Sequence, residues 1–311
     1  EDFRVQWAIT QNNLGAAYSD RILGDKAENI ETAIEAFQLA LTVRTREDFP
    51  VDWAVTQNNL GAAYRERILG DKAQNLETAI KAYQLALTVL TREDFRVDWA
   101  MTQNNLGNAY RERILGDKAQ NLEAAIEAYE KALTVYTRED FPVDWAGTQN
   151  NLGNAYCDRI QGDKAENLEA AINAYNQALT VYTPKANPLN CLQTARSLGN
   201  LYFNQGDCQS AIPVYELAVS ATEKARSWSS TDDRRQEVLE KSVGVYANLI
   251  HAYVQIGNSS KAIETADRSS AQQLVDLMHS ADLYPDGEVP EEMQKLLQEY
   301  KQIQQQIDQL R

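Results

Sequence analysis

The chain has 311 residues, 43% apolar and 24% charged, with 14 Gly and 7 Pro. It is long enough for two ordinary domains or one elongated array, and it is poor in helix breakers. A net charge of −15 repels phosphate backbones and excludes a nucleic-acid binder, and no run reaches the roughly 18 apolar residues of a membrane span.

An internal period dominates the text. Trp7, Trp53, Trp99 and Trp145 are spaced by 46 residues each time. The copies that start at Glu47 and Glu93 differ at 8 of 46 positions, so the array arose by duplication. The chain opens on Glu1, in phase with Glu47, Glu93 and Glu139, which predicts a fragment cut at a repeat boundary with more chain upstream.

Each repeat reads as two helices. The first is expected from Val51 to Leu69, with Ala54, Leu60, Ala63, Tyr64 and Ile68 as one buried stripe at three-and-four spacing. Gly70-Asp71 ends it. The second is expected from Asn75 to Thr91, with Asn75 as N-cap and Leu76, Ala79, Ile80, Tyr83, Ala86 and Leu87 as its stripe. One pair cannot bury both stripes alone, whereas stacked pairs make a continuous core. Gly61, Ala79 and Ala86 allow close helix approach, and Tyr64 and Tyr83 fill the wider gaps.

The string Asn105-Leu106-Gly107-Asn108-Ala109-Tyr110, followed by Ala125, Tyr129 and Ala132, resembles the two-helix signature of a tetratricopeptide repeat. That resemblance implies an all-α, right-handed superhelical solenoid of helix-turn-helix pairs. The unit here is longer than the family's 34 residues, with six extra residues between the helices around Ile114-Leu115-Gly116-Asp117 and an extension before the first helix. In this it is similar to the repeats of kinesin light chains and of arrays N-terminal to caspase-like CHAT domains in cyanobacterial proteins.

The expected organisation is a solenoid over 1–280 in six repeats: 1–46, 47–92, 93–138, 139–184, 185–230 and 231–280. Repeat five, at Leu198 to Tyr202, has an inter-helix loop six residues shorter, Asn204 to Asp207. Repeat six uses Leu249, Tyr253, Gly257, Ala262 and Ile263 and is the most diverged, with a polar insertion from Ser227 to Asp233 ahead of it. Residues 281–291, with Pro285, Gly287 and Pro290, read as a linker. Over 292–311, Met293, Leu296, Tyr300, Ile303, Ile307 and Leu310 form a coiled-coil-like seam helix. The segment Lys261 to Leu277 resembles the last repeat helix before a CHAT domain, which would place a caspase-like His/Cys dyad beyond Arg311 in the same chain.

In the tetratricopeptide family the first helices line a concave face. The resemblance therefore assigns a peptide-binding groove to Asn12, Asn58, Asn104, Asn108, Asn150, Asn154, Arg65 and Arg111. An amide both donates to and accepts from a peptide bond, so a ladder of them suits an extended backbone. The second Asn of each pair, as in Asn59, has the alternative of bonding a neighbouring repeat. Arg65 and Arg111 would clamp a partner's carboxylate, or pair with Glu66, Glu112 and the next repeat's Asp. The periodic Trp residues are read as packing.

An enzyme needs reactive groups in reach of one another. His251 and His279 have no metal-type neighbours. Cys157, Cys191 and Cys208 lack a basic cluster, and their odd number predicts free thiols and a cytoplasmic protein. No phosphate loop or nucleophile elbow is present. The expectation is a non-catalytic scaffold with no cofactor and no metal, monomeric, binding a protein or peptide; the alternative is a structural array that associates with itself.

Overall fold

The computed structural model describes residues 2–228 and 232–279. Within them every regular element is an α-helix. The expected linker over 281–291 and seam helix over 292–311 lie outside the described residues. The chain forms two compact units, Glu1–Tyr182 and Thr183–Arg311.

The first unit holds α1 (Asp2–Ser19), α2 (Lys26–Leu41), α3 (Pro50–Glu66), α4 (Lys72–Ala86), α5 (Arg96–Glu112), α6 (Lys118–Leu133), α7 (Pro142–Asp158) and α8 (Lys164–Leu179). Each helix packs on its hairpin partner, and α2, α4 and α6 also pack on the first helix that follows, α3, α5 and α7. First helices touch from layer to layer, as α1 with α3, α3 with α5 and α5 with α7. The second unit holds α9 (Pro188–Asn204), α10 (Cys208–Trp228), α11 (Asp232–Gln255) and α12 (Ser259–His279), packed in the same consecutive order.

In five of the pairs, from α1–α2 to α9–α10, packing depends on a glycine. A Cβ placed on Gly107 would sit 2.6 Å from the Tyr129 ring, and one on Gly61 would sit 2.8 Å from that of Tyr83. Gly15 with Phe37, Gly153 with Tyr175, and Gly199 with Tyr215 repeat the contact. The ring of the second helix lies against bare backbone of the first, which no other residue permits without displacement. Around it Ala79, Ile80 and Tyr83 close a core with Leu106 and Ala109 of the next layer. Trp53 lies on the Ala54–Ala86–Leu90 cluster, and Trp99 and Trp145 on the Ala100–Ala132–Val135–Tyr136 cluster.

The hydroxyl at this ring tracks the residue after the glycine. Tyr129 donates to Asn108 Oδ1 at 2.8 Å, Tyr175 to Asn154 Oδ1 at 2.9 Å, and Tyr215 to Asn200 Oδ1 at 2.8 Å. Where that residue is Ala16, the ring is Phe37 and needs no acceptor. Layer two breaks the pairing. Ala62 stands opposite Tyr83, whose buried hydroxyl has no partner among the described residues.

The helix limits differ from the sequence expectation. The first helix stops at Glu66 rather than Leu69, and the second begins at Lys72 rather than Asn75. Asp71 is the N-cap and accepts from the Gln74 N–H at 2.9 Å. Asn75 sits one turn inside, donating to the Leu69 carbonyl at 2.9 Å while its Oδ1 accepts from Arg67 at 3.4 Å. Gly70 turns the chain at φ +81°, a conformation open to glycine. Because the helix has already ended, Ile68 leaves the stripe and is 57% exposed.

The inserted loop also ties layers together. Arg67 holds Glu31 of the preceding second helix through both arms, at 2.6 and 2.7 Å. Arg113 holds Glu77 at 2.6 and 2.7 Å, and Arg159 holds Glu123 at 2.8 and 2.7 Å. A planar guanidinium facing a carboxylate is the strong form of the ion pair. Each of these arginines also bonds the Asn of its own second helix.

Two predictions follow from this packing. Tyr129→Phe leaves Asn108 Oδ1 without its donor and should cost about 1 kcal/mol. Tyr83→Phe removes an unpaired buried hydroxyl and should cost nothing or stabilise; urea midpoints of the two variants compare them directly. The arginine hydrogen bonds lower the pKa of Glu31, Glu77 and Glu123. A depressed carboxyl stabilises the fold fully above its unfolded value, about 4.3, and that contribution fades as pH falls through the folded value. The Glu31→Gln/Glu77→Gln/Glu123→Gln variant should therefore lose stability at pH 7 and show a flatter dependence between about pH 5 and 3, read from thermal midpoints.

Candidate functional site

The first helices of unit one place their amides in a ladder. Asn59 Nδ2 donates to Asn12 Oδ1 at 3.3 Å, Asn105 to Asn58 at 3.2 Å, and Asn151 to Asn104 at 3.2 Å. The second Asn of each pair thus reaches the first Asn of the layer before it, a side chain rather than a backbone group. Thr56 and Thr148 add hydroxyl bonds to Asn12 at 3.2 Å and Asn104 at 3.3 Å. Arg44 donates to Thr56 at 2.9 Å and lies 3.4 Å from Asp52.

Burial separates the expected groove residues into two groups. Asn12 and Asn58 are buried, Asn58 to 2% exposure, so their oxygens serve the contacts between layers. Asn104, Asn108, Asn150 and Asn154 are half-buried and reach solvent. Asn104 spends its oxygen on Asn151 and Thr148. Asn108 and Asn154 spend theirs on Tyr129 and Tyr175. Burial pushes both phenols far above their usual range, so they stay O–H donors and hold the amide oxygen in place. The Nδ2 groups of Asn108 and Asn154 have no hydrogen-bond partner among the described residues, and each offers two donors.

Arg65 and Arg111 sit one turn on from Gly61 and Gly107. Arg65 lies 3.5 Å from Glu66 and 3.8 Å from Glu112, and Arg111 lies 3.4 Å from Asp158. Both are part-exposed, and pairs of this kind contribute little to stability. The next layer has Cys157 at the same position, so the run of guanidinium groups ends there.

Other polar groups have packing roles. The His251 ring stands 5.1 Å from Phe203, edge to face. Cys191 is buried, and burial pushes its thiol up to about 12, far from a nucleophile's range. All three cysteines are free. Among the described residues no group of three or more His, Cys, Asp or Glu could hold a metal ion, and no helix is long and apolar enough to cross a membrane.

Sequence reasoning assigned Asn108 and Asn154 to the groove without their tyrosine partners. A signal was present in the comparison of copies: Phe37 occurs with Ala16, and Tyr129, Tyr175 and Tyr215 with Asn108, Asn154 and Asn200, Tyr83 with Ala62 being the exception.

A family model described as tetratricopeptide repeat matches residues 145–179. No curated protein matches the sequence. Among solved structures, the apo form of RapI is 12% identical, with 79% of this chain and 71% of that chain covered at a TM-score of 0.51. A Rap protein complexed with competence and sporulation factor is also 12% identical, covering 88% and 76% at a TM-score of 0.51. MamA is 17% identical over 73% of this chain and 97% of its own, with a TM-score of 0.45. Consecutive helix pairs, the matched repeat and the Rap-type likeness make the fold that of a tetratricopeptide-type helical array.

Proposed function

We propose that this chain is a non-catalytic scaffold whose first-helix face takes an extended segment of another protein. The observation that carries the proposal is the pair of oriented amides at Asn108 and Asn154. Their oxygens are held by buried phenols while their N–H groups remain open to an incoming carbonyl. Asn104 and Asn150 stand one turn before them. A donor fixed before binding costs less side-chain entropy when the ligand arrives. Each such bond is worth roughly 0.5–1.5 kcal/mol net and makes little demand on the partner's sequence.

Arg65 and Arg111 would read carboxylates at the margin of the same face by exchanging their present partners. The exchange is inexpensive because those pairs are part-exposed and each carboxylate partner reaches solvent. The complex of a Rap protein with competence and sporulation factor gives a precedent for a ligand on this kind of fold. The sequence likeness of Lys261 to Leu277 to the helix ahead of CHAT domains supports a regulatory role in a larger cytoplasmic protein. In that reading the array senses a ligand and controls a caspase-like module, and the natural coding sequence past Arg311 should contain a His and a Cys in that fold.

The test uses a phage-displayed library of random dodecapeptides selected on the full chain. Enriched peptides should bind about tenfold more weakly to Asn108→Ala/Asn154→Ala, the loss expected from one to two hydrogen bonds, while helix content by circular dichroism is retained. Peptides that bind the variant as tightly as the parent would remove the amides from the mechanism.

A further inference from the structure

The second unit contains a cleft of about 960 Å³ on a different part of the molecule from the amide ladder. Its sides are α10 and α12, and the buried Leu249 and Tyr253 of α11 form its floor. Lys185, in the segment ahead of α9, borders its mouth.

Charge inside the cleft runs against that of the chain. The basic groups are Lys185, Lys224, Lys261 and Arg268, and the acidic ones are Glu216, Glu223 and Glu264. Most of these are engaged. Arg268 grips Glu223 through both arms, with Nε 2.5 Å from Oε1, and Lys261 lies 2.8 Å from Glu264. Glu216 accepts the Tyr253 hydroxyl. Among the described residues Lys185 and Lys224 have no carboxylate partner. Lys224 stands only 5.9 Å from the Trp228 ring, which is 54% exposed.

The two unpaired cations share one end. Helices α9 and α10 form an antiparallel hairpin through the short turn Gln205–Asp207. The segment before α9 therefore lies beside the C-terminal half of α10, which carries Lys224. Glu216 sits about two turns back along α10, so it makes the other end acidic. A chain of net charge −15 thus presents two ammonium groups with no carboxylate partner among the described residues, over an apolar floor at one end of one cleft.

We infer that this cleft docks an acidic segment of a partner protein, with its carboxylates on Lys185 and Lys224 and an apolar side chain on Val219 and Leu249. The volume stands at the upper end of small-molecule sites, roughly 300–1,000 Å³, and suits several residues of extended chain. The Arg268–Glu223 and Lys261–Glu264 pairs along the wall offer donors and acceptors to its backbone. Complementary charge sets the direction in which the segment lies and raises its rate of encounter. This inference goes beyond the amide face and does not depend on it.

Fluorescence anisotropy of fluorescein-labelled hexaglutamate on the full chain tests it at low ionic strength, where surface charge is least screened. Binding should saturate and weaken about tenfold in Lys185→Glu/Lys224→Glu. It should persist in Lys81→Glu/Lys164→Glu, an equal charge change in the first unit, and in Asn108→Ala/Asn154→Ala, which separates it from the proposed peptide face. Equal weakening in the Lys81/Lys164 variant would reduce the effect to net charge and overturn the site. So would non-saturable binding or unchanged affinity in the Lys185/Lys224 variant. Displacement by free glutamate as effective per carboxylate as by the unlabelled peptide would give the cleft to a small dicarboxylate instead.

Discussion

The contact between an aromatic ring and a bare glycine backbone sets the helix spacing within five of the pairs in this protein. At Gly15, Gly61, Gly107, Gly153 and Gly199 the ring of the second helix occupies the space a Cβ would need. Helices drawn this close bury their alanines completely, as at Ala79, Ala109, Ala125 and Ala155, and alanine is the residue that allows such proximity without losing helix propensity. The contact also delivers the phenol hydroxyl beneath the residue after the glycine. There it meets an Asn side chain in three layers, and in layer two no hydrogen-bond partner among the described residues. Packing within a pair and polarity of the first-helix face are therefore coupled at one position.

Layers need a second kind of contact, because a hairpin pair buries only part of its apolar surface. Here the longer inter-helix loop supplies it. Arg67, Arg113 and Arg159 reach back to Glu31, Glu77 and Glu123, and each is braced by an Asn whose own amide closes the loop. The loop that lengthens the repeat is thus an inter-layer clasp. In the second unit the corresponding turns are Gln205–Asp207 and Ile256–Asn258, and they carry no such arginine. There, a bidentate pair between α10 and α12, Glu223 with Arg268, joins successive second helices. Two solutions to one stacking problem leave different surfaces behind, and a cleft lies beside the second.

The period, the helix pairs and the core residues were legible in the sequence because each depends on composition at fixed spacing. Ala54, Leu60, Leu76, Ala79, Ile80 and Tyr83 are buried as the three-and-four pattern requires. Helix ends were read less well. Asp71 and Asn75 are both good caps by residue type, and only the loop's need for Asn75 decides between them. Partners of the amides were not legible from one repeat, since Asn59 and Asn12 are 47 residues apart in sequence and meet only through stacking. The unit-two cleft carries no periodic signal at all, because Lys185, Lys224 and Arg268 belong to three different elements.

Duplication makes the differences between copies more informative than their likeness. The copies starting at Glu47 and Glu93 differ at 8 positions, and these do not fall evenly. Leu90 and Tyr136 are core variants. Lys81 and Glu127, and Gln84 and Glu130, lie on exposed second-helix surface. Val55 and Met101, and Ala62 and Asn108, fall on the first helices. The scaffold contacts, glycine to ring and arginine to glutamate, are the same in both copies. A ligand lying along the first helices would therefore meet Val55, Ala62 and Arg65 in one layer, and Met101, Asn108 and Arg111 in the next. Gly147, Asn154 and Cys157 follow in the third. An apolar step then passes to an amide step, and the arginine is lost. Such a graded face can fix the direction and register of a bound chain even though the frame beneath it repeats almost unchanged, because the interactions that hold the frame and those that would read a partner use different side chains at every position except the shared asparagine.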